Sequence, residues 1–323
     1  MGDVVHTMPA ISDIAANVPN AQIDWLVEAP FAALPAMHPA IRTVIPIAWR
    51  KWRKRLFAAD TRAALAAARA QLKTEPYDLI IDFQGLIKSA LWATQARGTR
   101  AGYDWASARE PLASLFYSKR AAVAVDQHAV ERSRQLAAAH LNYRVTGAQH
   151  FGLRTPDAAW QPQATRYAVL ITGASRPEKL WPESSWHAIA AYLTAQGLAL
   201  VWLWGSAEEG ERARRLAKLS GGEVPPFLTV KDASAVLAGA SLCVGLDTGF
   251  THIAAAFGVS TIGIYCDHEP GLVGIVGEGY VASVGGRSLV PTVDAVQAVV
   301  RAAEENAVSN KNQLNHSRHE PSL

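Results

Sequence analysis

The stretch "SLCVGLDTGFTH" (241–252) holds the side chains best suited to a departing phosphate. An apolar run ends at Leu246, the turn Asp247-Thr248-Gly249 follows, and a helical pattern begins. The N–H groups of Thr248, Gly249 and Phe250 would be that helix's unpaired donors, and such an end favours a phosphate or diphosphate. Gly249 allows close approach to the backbone, and His252 lies one turn on. Read locally, the residues also suit a plain role, with Asp247 capping the helix and His252 at the surface. The loop "TGASRPEKLWPESSW" (172–186) has the same strand–loop–helix setting. Lys179 is either a point charge for a phosphate or a solvated loop lysine, and Thr172, Ser175 and Trp181 could line its pocket. In "WGSAEEGER" (204–212), Glu208 and Glu209 open a helix. They either serve the helix dipole or offer a carboxylate to a ribose diol.

Two further groups stand near the front. Gly2-Asp3 precedes a helical run, and in alternating strand–helix chains such a pair sits on the loop after a buried strand; here no strand precedes it. "IAWRKWRKRLF" (47–57) packs five cations into the six residues from Arg50 to Arg55. Trp49, Trp52 and Leu56 fall at i, i+3 and i+7, on one helical face. The block reads as a solvated charged face or as a seat for a phosphorylated lipid head group or anionic leaflet, at about 1 kcal/mol per cation. Nucleic acid is disfavoured, because the other aromatic and basic residues do not cluster with it. Arg109 in "DWASAREPLASLFY" and His128 in "DQHAVERSR" add groups of the same acid-seeking kind.

The absent signatures narrow the chemistry. There is no G-x-x-x-x-G-K-[ST], no G-x-G-x-x-G, no H-E-x-x-H, no C-x-x-C and no Asp-x-Asp. A protein-built zinc site is not expected, nor is the short carboxylate device that holds a divalent metal on a sugar diphosphate. No metal and no cofactor is therefore expected. Lys179 and the helix N-terminus must take up the charge of any leaving diphosphate.

Short apolar runs alternate with amphipathic ones, and this must position those loops. Strands are expected at 22–28, 41–48, 77–83, 167–173, 198–205, 241–246 and 260–266. Helices are expected at 61–72, 128–141, 184–196, 208–219, 232–240 and 248–258. Continuous apolar strands separated by helices imply parallel sheets covered on both faces, and two such blocks imply two doubly wound α/β domains. The join is expected in 154–166, a last helix at about 292–305, and a disordered tail over 306–323. Ligands bind at the carboxyl ends of such strands, so a cleft between the domains is the expected site. Half of the 323 residues are apolar, enough for two cores, and the formal charge is only +3. Cys243 and Cys266 fall in apolar runs and read as buried thiols of a reducing compartment. The N-terminus lacks the pattern of a secretory leader, and no apolar run approaches the ~18 residues that span a bilayer. A soluble, cytoplasmic protein is expected, free to touch a membrane surface.

Taken in order, "MGDVVHTMPA", "WRKWRKR", "DFQGLIKSA", "DWASAREPLASLFY", "QHAVER", the Lys179 loop with "WPESSW", and "LDTGFTH" resemble the lipopolysaccharide heptosyltransferase I family, from Met1 to about Ala303. The resemblance implies a glycosyltransferase B fold of two Rossmann-like domains, with 1–155 binding acceptor and 165–305 binding ADP-heptose. It implies inverting, metal-independent transfer of L-glycero-D-manno-heptose from ADP-heptose to Kdo2-lipid A, on the cytoplasmic face of the inner membrane. Asp3 matches the general base. Lys179, Thr248 and Gly249 match groups that stabilise the departing ADP, with Thr172 lining the donor pocket. Asp247 matches a donor-sugar contact, His252 a residue beside the diphosphate, and Glu209 the ribose-binding acid. Arg50, Lys51, Arg53, Lys54 and Arg109 match the cations that hold the acidic acceptor, and His128 joins them.

The chain departs from the family at "CDHEPG" (266–271), where a Gly-Pro-Thr-Asp-Pro type of turn is usual, and at the front, where the family has an apolar strand and a Ser-rich turn ahead of Gly-Asp. The first strand of the N-terminal sheet is thus expected to be missing. A start assigned too far downstream explains this, and in-frame DNA upstream of Met1 is expected to encode that strand. Competing readings are a transferase that adds the next heptose and a non-catalytic nucleotide-sugar binder.

Overall fold

The computed structural model describes residues 1–174, 176–267 and 269–317. The chain divides into two units, Met1–Arg154 and Thr155–Leu323.

The first unit runs α1 (Gly2–Asn17), β1 (Ile23–Glu28), α2 (Ala33–Ala36), β2 (Ile41–Ile47), α3 (Trp49–Trp52), α4 (Ala59–Leu72), β3 (Tyr77–Ile81), α5 (Ile87–Ala93), β4 (Gly98–Tyr103), β5 (Lys119–Ala121) and α6 (Ala129–Leu141). Its strands are parallel, as the helical crossovers require, but they form two sheets, β1-β2 and β3-β4-β5, rather than one. The expectation of strands buried on both faces fails here. β1 and β3 are half-buried at most positions, because sheets this narrow leave much of each strand at an edge. Polar staples help to join the pieces. Arg42 grips Asp24 with two bonds, Nε to Oδ1 at 2.9 Å and Nη2 to Oδ2 at 2.6 Å, and Tyr77 Oη donates to Asp24 Oδ2 at 3.0 Å, tying β3 to β1. The Arg42 bond holds the Asp24 carboxyl below its usual range. α1 packs on α6 through Ala10, Ile11, Ile14 and Ala137, beside buried Arg134, whose Nε donates to Asp13 Oδ2 at 2.8 Å. His38 closes the unit. Its Nδ1 accepts from the Ala40 N–H at 3.2 Å, so its Nε2 carries the proton that meets Ser12 Oγ at 2.9 Å.

The second unit runs β6 (Tyr167–Ile171), α7 (Glu183–Ala195), β7 (Ala199–Leu203), α8 (Ala207–Ser220), α9 (Val230–Ala238), β8 (Leu242–Leu246), α10 (Gly249–Ala256), β9 (Thr261–Tyr265), β10 (Val281–Gly285) and α11 (Val293–Ser317). One parallel sheet has the order β10-β9-β8-β6-β7. β6, β8 and β9 are buried at every position, as their unbroken apolar runs demand. Trp181, Trp186 and Trp202 pack with Leu170, Leu193 and Ile262 in one core. Burying side chains of this kind stabilises by about 1.5–3 kcal/mol each. Both cysteines are buried. Burial pushes the Cys243 thiol far up and the Cys266 thiol to about 11. β6 lies between β7 and β8, so the chain reverses direction across the sheet there, and the carboxyl ends of β6 and β8 flank the switch point.

The last helix does not stop near 305. It continues to Ser317, since 306–317 contains neither Gly nor Pro to break it, while 318–323 lie outside the described residues. Among the described residues no helix is long and apolar enough to cross a membrane.

Candidate active site

In the second unit the loops after β6 and β8 meet. The β6 loop carries a one-turn helix, Pro177–Lys179, which leaves the Lys179 side chain largely enclosed. Its Nζ lies 2.7 Å from Asp247 Oδ2, at the end of β8. His252 Nε2 stands 3.5 Å from Asp247 Oδ1. Burial alone would raise the Asp247 carboxyl, but the bonds and charges of His252 and Lys179 outweigh it and hold it well below the usual carboxylate range. The three side chains thus form one cluster at a strand end. Asp247 does not cap the helix. Thr248 occupies the N-cap position of α10 with no side-chain cap bond, leaving the first amides free of one. His252 is buried at 5% exposure, which excludes the surface role that local sequence allowed. Thr251 Oγ1 donates to Leu246 O at 2.5 Å and fixes the turn. Thr172 is buried at the end of β6, and Ser175 lies outside the described residues.

The two candidate acids separate cleanly. Glu208 is exposed, whereas Glu209 Oε2 accepts from the Gly205 N–H at 2.8 Å. A Cβ on Gly173 would collide with the Glu209 carboxyl carbon, so that carboxylate is pressed against the β6 loop as well. Phe250 joins the same corner, 3.2 Å from where a Gly205 Cβ would stand. Gly173 went unnoticed in the sequence; the signal was a glycine two residues past the end of each of two neighbouring strands, β6 and β7. In the departing segment, Arg176 Nη2 lies 3.5 Å from Asp267 Oδ2, and Glu269 Oε1 accepts from the Arg287 N–H at 3.2 Å; His268 lies outside the described residues.

The first unit supplies a second group of residues. Asp3 lies in the first turn of α1, and Arg109 Nη1 stands 3.2 Å from its Oδ1. Both side chains are about half exposed, at 54% and 52%. The Arg50 N–H donates to Glu28 Oε1 at 3.2 Å, and its guanidinium lies 5.7 Å from the Phe31 ring centre. Lys51, Arg53 and Lys54 are exposed and have no ion-pair partner among the described residues. The helical face expected over 49–56 is cut short, because the helix ends at Trp52. Trp49 and Trp52 each pack 6.2 Å from Trp92, but Leu56 turns outward and Phe57 is 93% exposed. His128 caps α6, its Nδ1 accepting from the Val130 N–H at 3.2 Å, with its ring 5.3 Å from His6. Among the described residues no group of three or more His, Cys, Asp or Glu side chains could hold a metal.

Residues 65–300 match glycosyltransferase family 9 (heptosyltransferase). The chain is 40% identical over 322 residues to lipopolysaccharide heptosyltransferase 1 of Escherichia coli K12, covering 97% of this chain and 94% of that protein. It is 43% identical over 285 residues to lipopolysaccharide heptosyltransferase 1 of Pseudomonas aeruginosa, covering 87% and 80%. Among solved structures, E. coli heptosyltransferase WaaC with ADP aligns with a TM-score of 0.85 and 38% identity, over 94% of this chain and 97% of that one. The same enzyme with ADP-2-deoxy-2-fluoro heptose aligns with a TM-score of 0.82 and 37% identity, over 94% and 96%. The fold is the glycosyltransferase B fold. With these likenesses running nearly end to end, the chain belongs to glycosyltransferase family 9, the heptosyltransferases, and to its lipopolysaccharide heptosyltransferase 1 branch.

Proposed function

We propose that this enzyme transfers L-glycero-D-manno-heptose from ADP-heptose to a Kdo sugar of Kdo2-lipid A, inverting the anomeric carbon and needing no metal. The observation that carries the reading is the Lys179–Asp247–His252 cluster at the ends of β6 and β8, a cation and a helix N-terminus at the switch point of a nucleotide-binding sheet. The relatives bound to ADP and to a fluorinated ADP-heptose support the donor.

In this reading the donor diphosphate lies on the amides of Thr248 and Gly249 with Lys179 and His252 beside it. Thr172 lines its pocket, Glu209 accepts from the ribose hydroxyls, and Asp247 contacts the sugar. Asp3 takes the proton of the acceptor hydroxyl. The acceptor oxygen bonds to the anomeric carbon as the bond to the β-phosphate oxygen breaks, and the electron pair leaves on ADP. Lys179 and the amides stabilise the charge that grows there. Arg109, Arg50, Lys51, Arg53, Lys54 and His128 hold the acceptor's carboxylates and phosphates. Exposed Phe57 beside those cations suits a peripheral seat on the anionic cytoplasmic face of the inner membrane.

The test is a mass-spectrometric assay with ADP-heptose and Kdo2-lipid A in the presence of EDTA. Addition of one heptose is expected. Asp3→Ala is expected to abolish it while ADP affinity by calorimetry stays within about twofold, since removing a general base costs about 10²–10⁴ in rate. Near-normal turnover by Asp3→Ala would refute its role as base. Turnover only with a mono-heptosylated acceptor would overturn the choice of acceptor.

A further inference from the structure

The motif "DFQGLIKSA" belongs to none of the groups assigned so far, yet it contains a carboxylate that the fold has buried with care. Asp82, directly after β3, is 6% exposed and has no ion-pair partner among the described residues. Four donors surround it. Oδ2 accepts from Tyr117 Oη at 2.6 Å and lies 2.7 Å from Ser89 Oγ. Oδ1 accepts from the Gln84 N–H at 2.9 Å and lies 3.4 Å from the Gly85 nitrogen. Leaving such a carboxylate without donors would cost several kcal/mol, so the loop that supplies them is held in one shape.

That shape reaches Arg109. Gly85 sits at φ +62, a turn few other residues adopt, and a Cβ there would stand 3.3 Å from the Arg109 nitrogen. The Glu110 N–H donates to Gly85 O at 3.0 Å, and Glu110 Oε2 accepts from the Ile87 N–H at 2.6 Å. The backbone just after Arg109 is therefore hydrogen-bonded to the loop that Asp82 organises, and that at Ala108 and Arg109 packs against it. Tyr117 is itself fixed from behind. It is 2% exposed, and it lies against Gly102 of β4 so closely that a Cβ there would collide with its ring. A buried carboxylate, a buried phenol and two glycines thus converge on the backbone that carries Arg109, whose half-exposed guanidinium meets Asp3.

We propose that Asp82 is a positioning residue: through Tyr117, Ser89 and the Gly85 turn it sets where the Arg109 guanidinium meets Asp3, and so governs use of the acidic acceptor without touching it. This rests on the reading of Arg109 as an acceptor-binding residue.

The test is a double-mutant cycle in the full chain, read as kcat/KM for Kdo2-lipid A with ADP affinity alongside. Tyr117→Phe removes one hydroxyl and keeps the ring, and should lower kcat/KM for the acceptor about tenfold, with ADP affinity within about twofold. Arg109→Ala should also lower it. If Tyr117 acts through Arg109, the double variant is no more than about twofold worse than Arg109→Ala alone. Losses that multiply, or an unchanged acceptor kcat/KM in Tyr117→Phe, overturn the proposal while leaving the acceptor reading standing. A neutral Arg109→Ala removes the acceptor reading, and the proposal with it. Should Tyr117→Phe fail to fold by circular dichroism, Ser89→Ala enters the same cycle with the same expected non-additivity, and multiplying losses there overturn the proposal equally.

Discussion

Lys179 is held by a partner within its own unit. Its Nζ lies 2.7 Å from Asp247 Oδ2 and the side chain is largely enclosed, so in the proposed reaction little reorganisation would be left at this residue. Lys179→Ala should lower kcat by about 10²–10³, the usual cost of removing one preorganised charge donor, and steady-state kinetics with ADP-heptose would show it. His38 is a different kind of buried group. Burial, helped by the charges of His150 and Arg154, pulls its pKa down to about 4. The unfolded chain takes up this proton below its ordinary value of about 6.5, whereas the folded chain resists until about 4. Stability from this group is full above pH 6.5 and is lost as the pH falls through the window, by about 3 kcal/mol in all. Denaturant titrations of the first unit between pH 7 and pH 4 should show that slope, and His38→Gln should flatten it.

At the scale of the element, the glycine after β6 leaves the room that the Glu209 carboxylate occupies. Gly173→Ala would push the Glu209 carboxylate off its seat against the strand ends, and ADP affinity by calorimetry should fall about tenfold while the fold persists. Calorimetric affinity unchanged by that substitution would detach Glu209 from the nucleotide. This contact also shows where the sequence ran out. Glu208 and Glu209 occupy the same helical turn, and only the backbones of Gly173 and Gly205 separate them. The strands β6 to β9 were legible, because each is a continuous apolar run between helical patterns. β4, β5 and β10 were not: Arg100, Lys119, Arg120 and the small residues of "VASVG" carry no such signal, and those strands form by tertiary pairing. The Trp49–Trp52 spacing correctly marked a packed face, but local turns after Arg53 ended the helix before Leu56 could join it. The motif order added expected donor and acceptor roles that periodicity does not carry, since spacing alone left Asp247, Lys179 and His252 open to plain roles.

At the scale of the whole molecule, the two units differ in how their strands are buried. β6, β8 and β9 are enclosed at every position, while β1 and β3 are mostly half-buried and β2 mixes buried, half-buried and exposed positions, in sheets of two and three strands. Amide hydrogen exchange should therefore be slowest in β6, β8 and β9 and faster in β1 to β5, with saturating ADP adding protection in the second unit, about 2.7 kcal/mol at a hundredfold excess over Kd. Uniform protection across both units would contradict this ranking. The enclosure of the second sheet has one more consequence, for the experimenter. Its two thiols, Cys243 within β8 and Cys266 directly after β9, are the protein's full complement, and both are shut away, with burial favouring the protonated form. Maleimide dyes should ignore the native chain, so a single Phe57→Cys substitution would give a site-specific fluorophore on the basic segment without first stripping out the natural cysteines.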